Sequence, residues 1–354
     1  MPSAVIAGTG SQLAPIRVTN EQLSRILDTN DEWIRERTGV EARHLAPPGL
    51  TTSDLGVAAA EKALASAGLG PDAVDLVVFA TMTPDHYFPG CGTLLQHKMG
   101  LRAVPCFDIR QQCTGFLYAL QLADAHVRAG MAETVLVVAA ETHHGLMPWT
   151  PENFRFMIGE SETPPTPEEY ARSSELRHMV VLFGDAGASV VVRAVKGGDR
   201  GILDQRLYGD GAEYKHLYVP GNGSARLPYV DSGQIERGEH RPVMDGRHVF
   251  KMATTHMIDV AQEVMARNGV TTDDVKLVLM HQANLRINEY CQKALHLPDE
   301  KVPHNINECG NTTAATIPLL WDECARDGRI APGDLVLLVA FGAGMTWGAT
   351  LVRA

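Results

Sequence analysis

A chain of 354 residues with 45% hydrophobic and 21% charged side chains has room for one large core or two ordinary ones, and its balance is that of a soluble globular protein. A net charge of −11 excludes a general nucleic-acid binder, and no segment approaches the roughly 18 uninterrupted apolar residues of a membrane span. The six cysteines, at 91, 106, 113, 291, 309 and 324, form no CxxC pair, and the start lacks a basic region followed by an apolar run, so a reduced, cytoplasmic setting without disulfides or structural zinc is expected.

The opening AVIAGTGSQL carries GxG but has Leu13 where a dinucleotide-binding fingerprint needs its third glycine. Spaced apolar positions then predict a helix over 54–67, and a short β-branched run predicts a buried strand over 75–80. A helix over 113–129 and a strand over 134–140 follow. The stretch 143–179 is rich in proline and charge and breaks the pattern; it reads as an inserted cap or loop. Beyond it come helices over 249–267, 284–295 and 313–327 and strands over 275–280 and 334–340. The two parts repeat. AGLGPDAVDLVVF from Ala67 parallels NGVTTDDVKLVLM from Asn268, pairing Gly68 with Gly269, and VLVVA from Val135 parallels VLLVA from Val336. Both matches have the same offset, 201 residues, which predicts two similar α/β halves, 1–190 and 191–354, sharing one core.

Four places carry candidate chemistry. In DIRQQCTGFLYAL, Cys113 stands at the start of a helix, where the dipole favours a thiolate; a free cysteine packed in the core is the plain alternative. In VLMHQANLRI, His281 stands where a buried strand gives way to a helix. Asn311 in NINECGNTTAATIP follows a glycine and precedes a helix, a position that also suits a simple cap. The turn in LVAFGAGMTWGATLV either closes a hairpin or brings backbone N–H groups against a reacting oxygen.

Taken together and in this order, GTGSQLAP, DEWIRERTGVEARHL, QQCTGFLYAL, FGDAGAS, HQANLRI, GNTTAATIP and AFGAGMTWGA resemble β-ketoacyl-acyl-carrier-protein synthase III, a branch of the thiolase superfamily. The likeness spans the chain except 143–179. It implies a duplicated five-layer α/β/α/β/α fold and a Cys113–His281–Asn311 triad. It also implies an acyl group passed from acyl-CoA to Cys113, its oxygen held by the backbone N–H groups of Cys113 and Ala343, and then a decarboxylative condensation with a malonyl thioester. No cofactor or metal is implied, and His143 with His144 lacks the spacing of a metal site.

By the same resemblance, Trp33 and Arg37 hold the CoA adenine and phosphate, while Gly246, Phe250 and Asn284 line the pantetheine channel. Lys251, Arg286 and Lys293 form a patch for an acidic acyl carrier protein, and Phe88 reaches into the acyl pocket of a homodimeric partner, favouring short-to-medium primers. Apolar residues of the insertion, Leu146, Met147, Trp149, Phe154, Phe156, Met157 and Ile158, are candidates for an apolar extension of the tunnel or a lid over its mouth. Three departures stand out: Ala343 replaces a usual glycine, Asp245 a usual asparagine, and the arginine that helps sandwich adenine falls within the insertion without an assignment. Two other readings remain: a related enzyme of secondary metabolism that transfers acyl to another nucleophile or joins two acyl chains, and a non-catalytic acyl-binding subunit. The intact Cys-His-Asn set weighs against the second.

Overall fold

The computed structural model describes residues 2–354. A five-stranded sheet has the spatial order Ser3–Leu13, Ala186–Val195, Thr134–Glu141, Leu76–Ala80, Cys106–Ile109, and a four-stranded sheet the order Leu277–Met280, Leu335–Gly342, Thr346–Arg353, Gly201–Gly209. In the first, Cys106–Ile109, Leu76–Ala80 and Thr134–Glu141 run parallel, in the second Leu277–Met280 and Leu335–Gly342 do, and in each the two remaining strands follow antiparallel. The inner strands are buried throughout, which explains their unbroken apolar runs: covered on both faces, they have no polar face to show.

Helices Gly115–Arg128 and Thr316–Arg326 lie between the sheets, where Phe116, Leu120, Ile317 and Trp321 share one core with Val78, Val137, Leu279 and Leu338. Helix Thr52–Ser66 covers the outer face of the first sheet, and helices Gly246–Arg267 and Leu285–Ala294 cover that of the second. The result is five layers. The sequence offset of 201 holds in three dimensions. It relates the starts of the two middle helices, Gly115 and Thr316, and the short 3-10 turns before them, Gln112–Thr114 and Thr313–Ala315. It also relates Gln112 and Thr313, which take the left-handed backbone at φ 44° and 52°. The GTG near the N-terminus serves packing: a Cβ on Gly10 would lie 2.4 Å from the backbone N of Ala63, and one on Gly8 2.5 Å from the Ala63 carbonyl oxygen. Helix Thr52–Ser66 therefore sits directly on the strand.

Residues 143–179 are a folded cap, and the loop alternative falls. Helices Pro151–Ile158 and Pro167–Glu175 each begin at a Thr-Pro pair, with Thr150 and Thr166 accepting from the backbone of Asn153 and Glu169 in capping boxes. The threonine satisfies an orphan N–H, and proline fits the first helical position, which needs no donor. Composition had hidden this; the two Thr-Pro signatures were the readable signal. Phe154 and Met157 are buried against Ile26, Leu27 and Ile34, and Met147, Trp149, Phe156 and Ile158 pack around the same cluster. The expectation that these side chains extend the tunnel is therefore corrected: they anchor the cap to the N-terminal segment.

Candidate active site

One cavity of about 760 Å³ is lined by Cys113, His281 and Asn311 together with Trp33, Arg37, Gly246, Phe250, Asn284 and Ala343. Three chain segments converge to build its floor: the turn before helix Gly115–Arg128, the end of strand Leu277–Met280, and the turn before helix Thr316–Arg326. Cys113 stands on the 3-10 turn Gln112–Thr114 rather than in the helix itself, which starts two residues later. Gly342 lets the C-terminal turn close over it, since a Cβ there would lie 3.0 Å from Cys113 Cβ and 3.2 Å from its backbone N. The Thr114 and Thr346 hydroxyls meet at 2.8 Å and tie the same two turns together.

Burial, reinforced by the charge of Glu141, pushes the Cys113 thiol up to about 12. Two influences therefore oppose each other at this sulfur: the nearby helix start favours the thiolate, and desolvation favours the neutral thiol. Glu141 is itself fully buried, takes hydrogen bonds from Thr81, Thr83 and the backbone of Met82, and is raised by burial.

His281 is buried, and burial lowers it to about 3, so it is neutral at physiological pH. Its Nδ1 lies 2.7 Å from the Thr316 hydroxyl, while its buried Nε2 has no hydrogen-bond partner among the described residues. Asn311 is oriented from the other side. Its Oδ1 accepts the backbone N–H of Thr313 at 2.8 Å, which leaves the Nδ2 donor free.

Toward the mouth, Trp33 has two guanidinium groups against its ring, Arg37 at 4.6 Å and Arg177 at 4.5 Å from the ring centre. Arg177 belongs to the cap and was not assigned from sequence, because its neighbour Trp33 lies far away along the chain. Asn284 reaches the cavity wall, but its side chain is committed: Oδ1 accepts from Arg286 N at 3.0 Å and Nδ2 donates to Arg37 O at 2.9 Å. Gly246 and Phe250 line the cavity as expected. Of the cap, only His178 and Met179 do so. Lys251, Arg286 and Lys293 are exposed on two adjoining helices. Phe88 is 80% exposed and lies outside this chain's own cavity.

One cluster has metal-binding residue types. Glu213 Oε2 lies 2.8 Å from His248 Nε2 and 3.3 Å from His216 Nε2, and Asp245 approaches His216 Nδ1 at 3.5 Å. The two rings stack at 3.7 Å with only 17° between their planes, so their in-plane lone pairs run side by side instead of converging on one ion. The geometry is that of a stacked pair bridged by a carboxylate.

The family models for 3-oxoacyl-[acyl-carrier-protein] synthase III match residues 107–161, and those for its C-terminal part residues 265–354. The chain is 41% identical over 353 residues to β-ketoacyl-[acyl-carrier-protein] synthase III of Rhizorhabdus wittichii, covering 100% of both. It is 43% identical over 355 residues to the enzyme of the same name in Rhodospirillum rubrum, covering 99% of both. The chain belongs to the β-ketoacyl-acyl-carrier-protein synthase III family. The crystal structure of synthase III from Thermus thermophilus superposes with a TM-score of 0.85 at 36% identity over 99% of each chain. The resemblance drawn from the motifs and the thiolase-type fold are both borne out. No helix among the described residues is long and apolar enough to cross a membrane.

Proposed function

We propose that this synthase III family member forms a carbon–carbon bond in two stages at Cys113. In the first, the Cys113 sulfur attacks the carbonyl of an acyl-CoA, CoA leaves as the thiol, and the backbone N–H groups of Cys113 and Ala343 receive the oxyanion. In the second, a malonyl thioester carried by acyl carrier protein loses CO2. Asn311 Nδ2 and His281 Nε2 donate to the enolate oxygen, and the enolate carbon attacks the acyl carbonyl, expelling the Cys113 sulfur. The donor role of His281 requires the Thr316 hydroxyl to give its proton to Nδ1, 2.7 Å away, in preference to its other acceptor, the Thr313 carbonyl oxygen at 3.1 Å, leaving the hydrogen on Nε2. A neutral imidazole and an amide suit this task, because they stabilise developing charge without a proton of their own being lost.

The observation that carries this reading is that both free donors line the same cavity as the nucleophile, each with its other end already engaged. Arg177 beside Trp33 supplies the cationic neighbour expected for an adenine site. Lys251, Arg286 and Lys293 give an otherwise acidic chain a basic face suited to an acidic carrier protein. The exposed Tyr87 and Phe88, in edge contact at 6.2 Å, favour a homodimer that covers them. Separate measurement of the two half-reactions tests the assignment. Asn311→Ala is expected to keep acylation of Cys113 by acyl-CoA while CO2 release falls by about 10²–10³, as on loss of one oxyanion donor. An equal fall in both would overturn the division of labour.

A further inference from the structure

We infer that His143, the first residue of the cap, is a positioning residue for the condensation step, holding the Asn311 amide in place through Thr313. The inference rests on the enolate-donor reading of Asn311. His143 is buried and does not line the cavity that holds Cys113. Its Nδ1 lies 2.9 Å from the carbonyl oxygen of Gly184, an acceptor with no proton to give, so Nδ1 must carry the hydrogen. The Asp185 carboxylate stands 3.3 Å from the same nitrogen and also accepts the His143 backbone N–H at 2.6 Å. The far nitrogen, Nε2, is thereby directed at the Thr313 hydroxyl, 2.6 Å away.

Thr313 needs such a partner. It takes a left-handed backbone at φ 52°, a conformation that a β-branched residue rarely adopts, and its N–H is the group that fixes Asn311 Oδ1. The His143 ring also stacks on Phe183 at 4.7 Å and 19°. Around Phe183, Asn311 N donates to Leu182 O at 2.7 Å and Gly184 N donates to Asn311 O at 3.1 Å. One segment, 182–185, therefore grips the backbone of Asn311 directly and its side chain indirectly, through imidazole and threonine. Without the imidazole, Thr313 can relax and the amide can turn its oxygen toward the cavity. An acceptor there would repel an enolate, whereas acyl transfer to Cys113 depends on other groups.

The test uses the full-length enzyme and follows Cys113 acylation by intact mass and CO2 release from malonyl-carrier protein. His143→Phe and Thr313→Val are each expected to slow CO2 release by about tenfold to a hundredfold, the cost of small misplacement, and to leave acylation within about twofold. Thr313→Ser restores the hydroxyl and should return CO2 release to near the original rate. The double variant His143→Phe with Thr313→Val should be no slower than the worse single one, since both break one linkage. Thr313→Val keeps the side-chain shape, so with its serine counterpart it carries the test should His143→Phe not fold. Equal slowing of both half-reactions, unchanged CO2 release in Thr313→Val, or additive losses in the double variant would overturn the inference. Asn311→Ala separates the levels. If it alone slows CO2 release, the donor reading stands and the role of His143 falls; if it leaves CO2 release intact, both fall.

Discussion

Cys113 combines two opposing influences at a single atom. Standing before a helix favours the anion, whereas burial and the nearby Glu141 carboxylate favour the neutral thiol and lift it to about 12. The sign is straightforward: with a raised value, the thiolate fraction below it grows tenfold for each unit of pH. Alkylation of Cys113 by iodoacetamide, followed by peptide mass spectrometry, should therefore rise about tenfold per unit between roughly pH 7 and 9. A plateau below pH 8 would show that the helix terminus outweighs burial. The proposed nucleophile's type and place were legible in the sequence because QQCTGFLYAL is a short motif of neighbouring residues, whereas a cysteine before a helical pattern alone left a packed core thiol equally open. The resting state of Cys113 was not legible, because Glu141 and the covering turn at Gly342 arrive from distant parts of the chain.

The elements were read well where packing is repetitive. Buried strands such as Thr134–Glu141 announce themselves as apolar runs, and helix Thr52–Ser66 as a spaced pattern. The cap was not, because its helices are short and amphipathic and its partners lie in residues 16–45. The contact between helix Thr52–Ser66 and the first strand gives a stability prediction. A methyl group on Gly10 would meet backbone atoms of Ala63 and Ala59 at 2.4 and 2.5 Å, which neither helix nor strand can vacate without moving bodily. Gly10→Ala should destabilise the fold by about 1–3 kcal/mol, the usual range for an overpacked core. Thermal unfolding of the variant beside the wild type measures it, and an unchanged midpoint would mean that the two layers are less closely seated. Serine at Gly70, where a Cβ meets nothing, is the control.

For the molecule as a whole, one feature left unaccounted for within a single chain is the exposed aromatic ridge. Tyr87 and Phe88 are 64% and 80% exposed, and Tyr87 meets Tyr229 edge-on at 5.3 Å, so the aromatic surface is continuous. A homodimer burying this ridge would place Phe88 in the partner's acyl pocket. Phe88→Asp should then yield monomers in analytical ultracentrifugation, since an unpaired carboxylate in such an interface is costly. Phe88→Thr should keep the dimer and extend the accepted primer by several carbons in a competition between short and long acyl-CoA. A wild type that is already monomeric, or a threonine variant with unchanged chain preference, would place the floor of the pocket elsewhere.

The sequence by itself determined the duplication, the buried strand runs near 75–80, 134–140, 275–280 and 334–340 with the helices beside them, and the three residue types proposed for the centre of the site. All of these are written in short-range periodicity, in a repeat at constant offset, or in motifs of a few neighbouring residues. Only the tertiary structure decided what depends on groups remote in the chain. It paired Arg177 with Trp33, committed Asn284 to Arg37, and seated the cap on the N-terminal segment. It also joined Asp185, His143 and Thr313 behind Asn311. The physical reason is common to all: hydrogen-bond direction, burial and protonation state are set by whatever the fold brings within a few ångströms, and a linear pattern does not contain that distance.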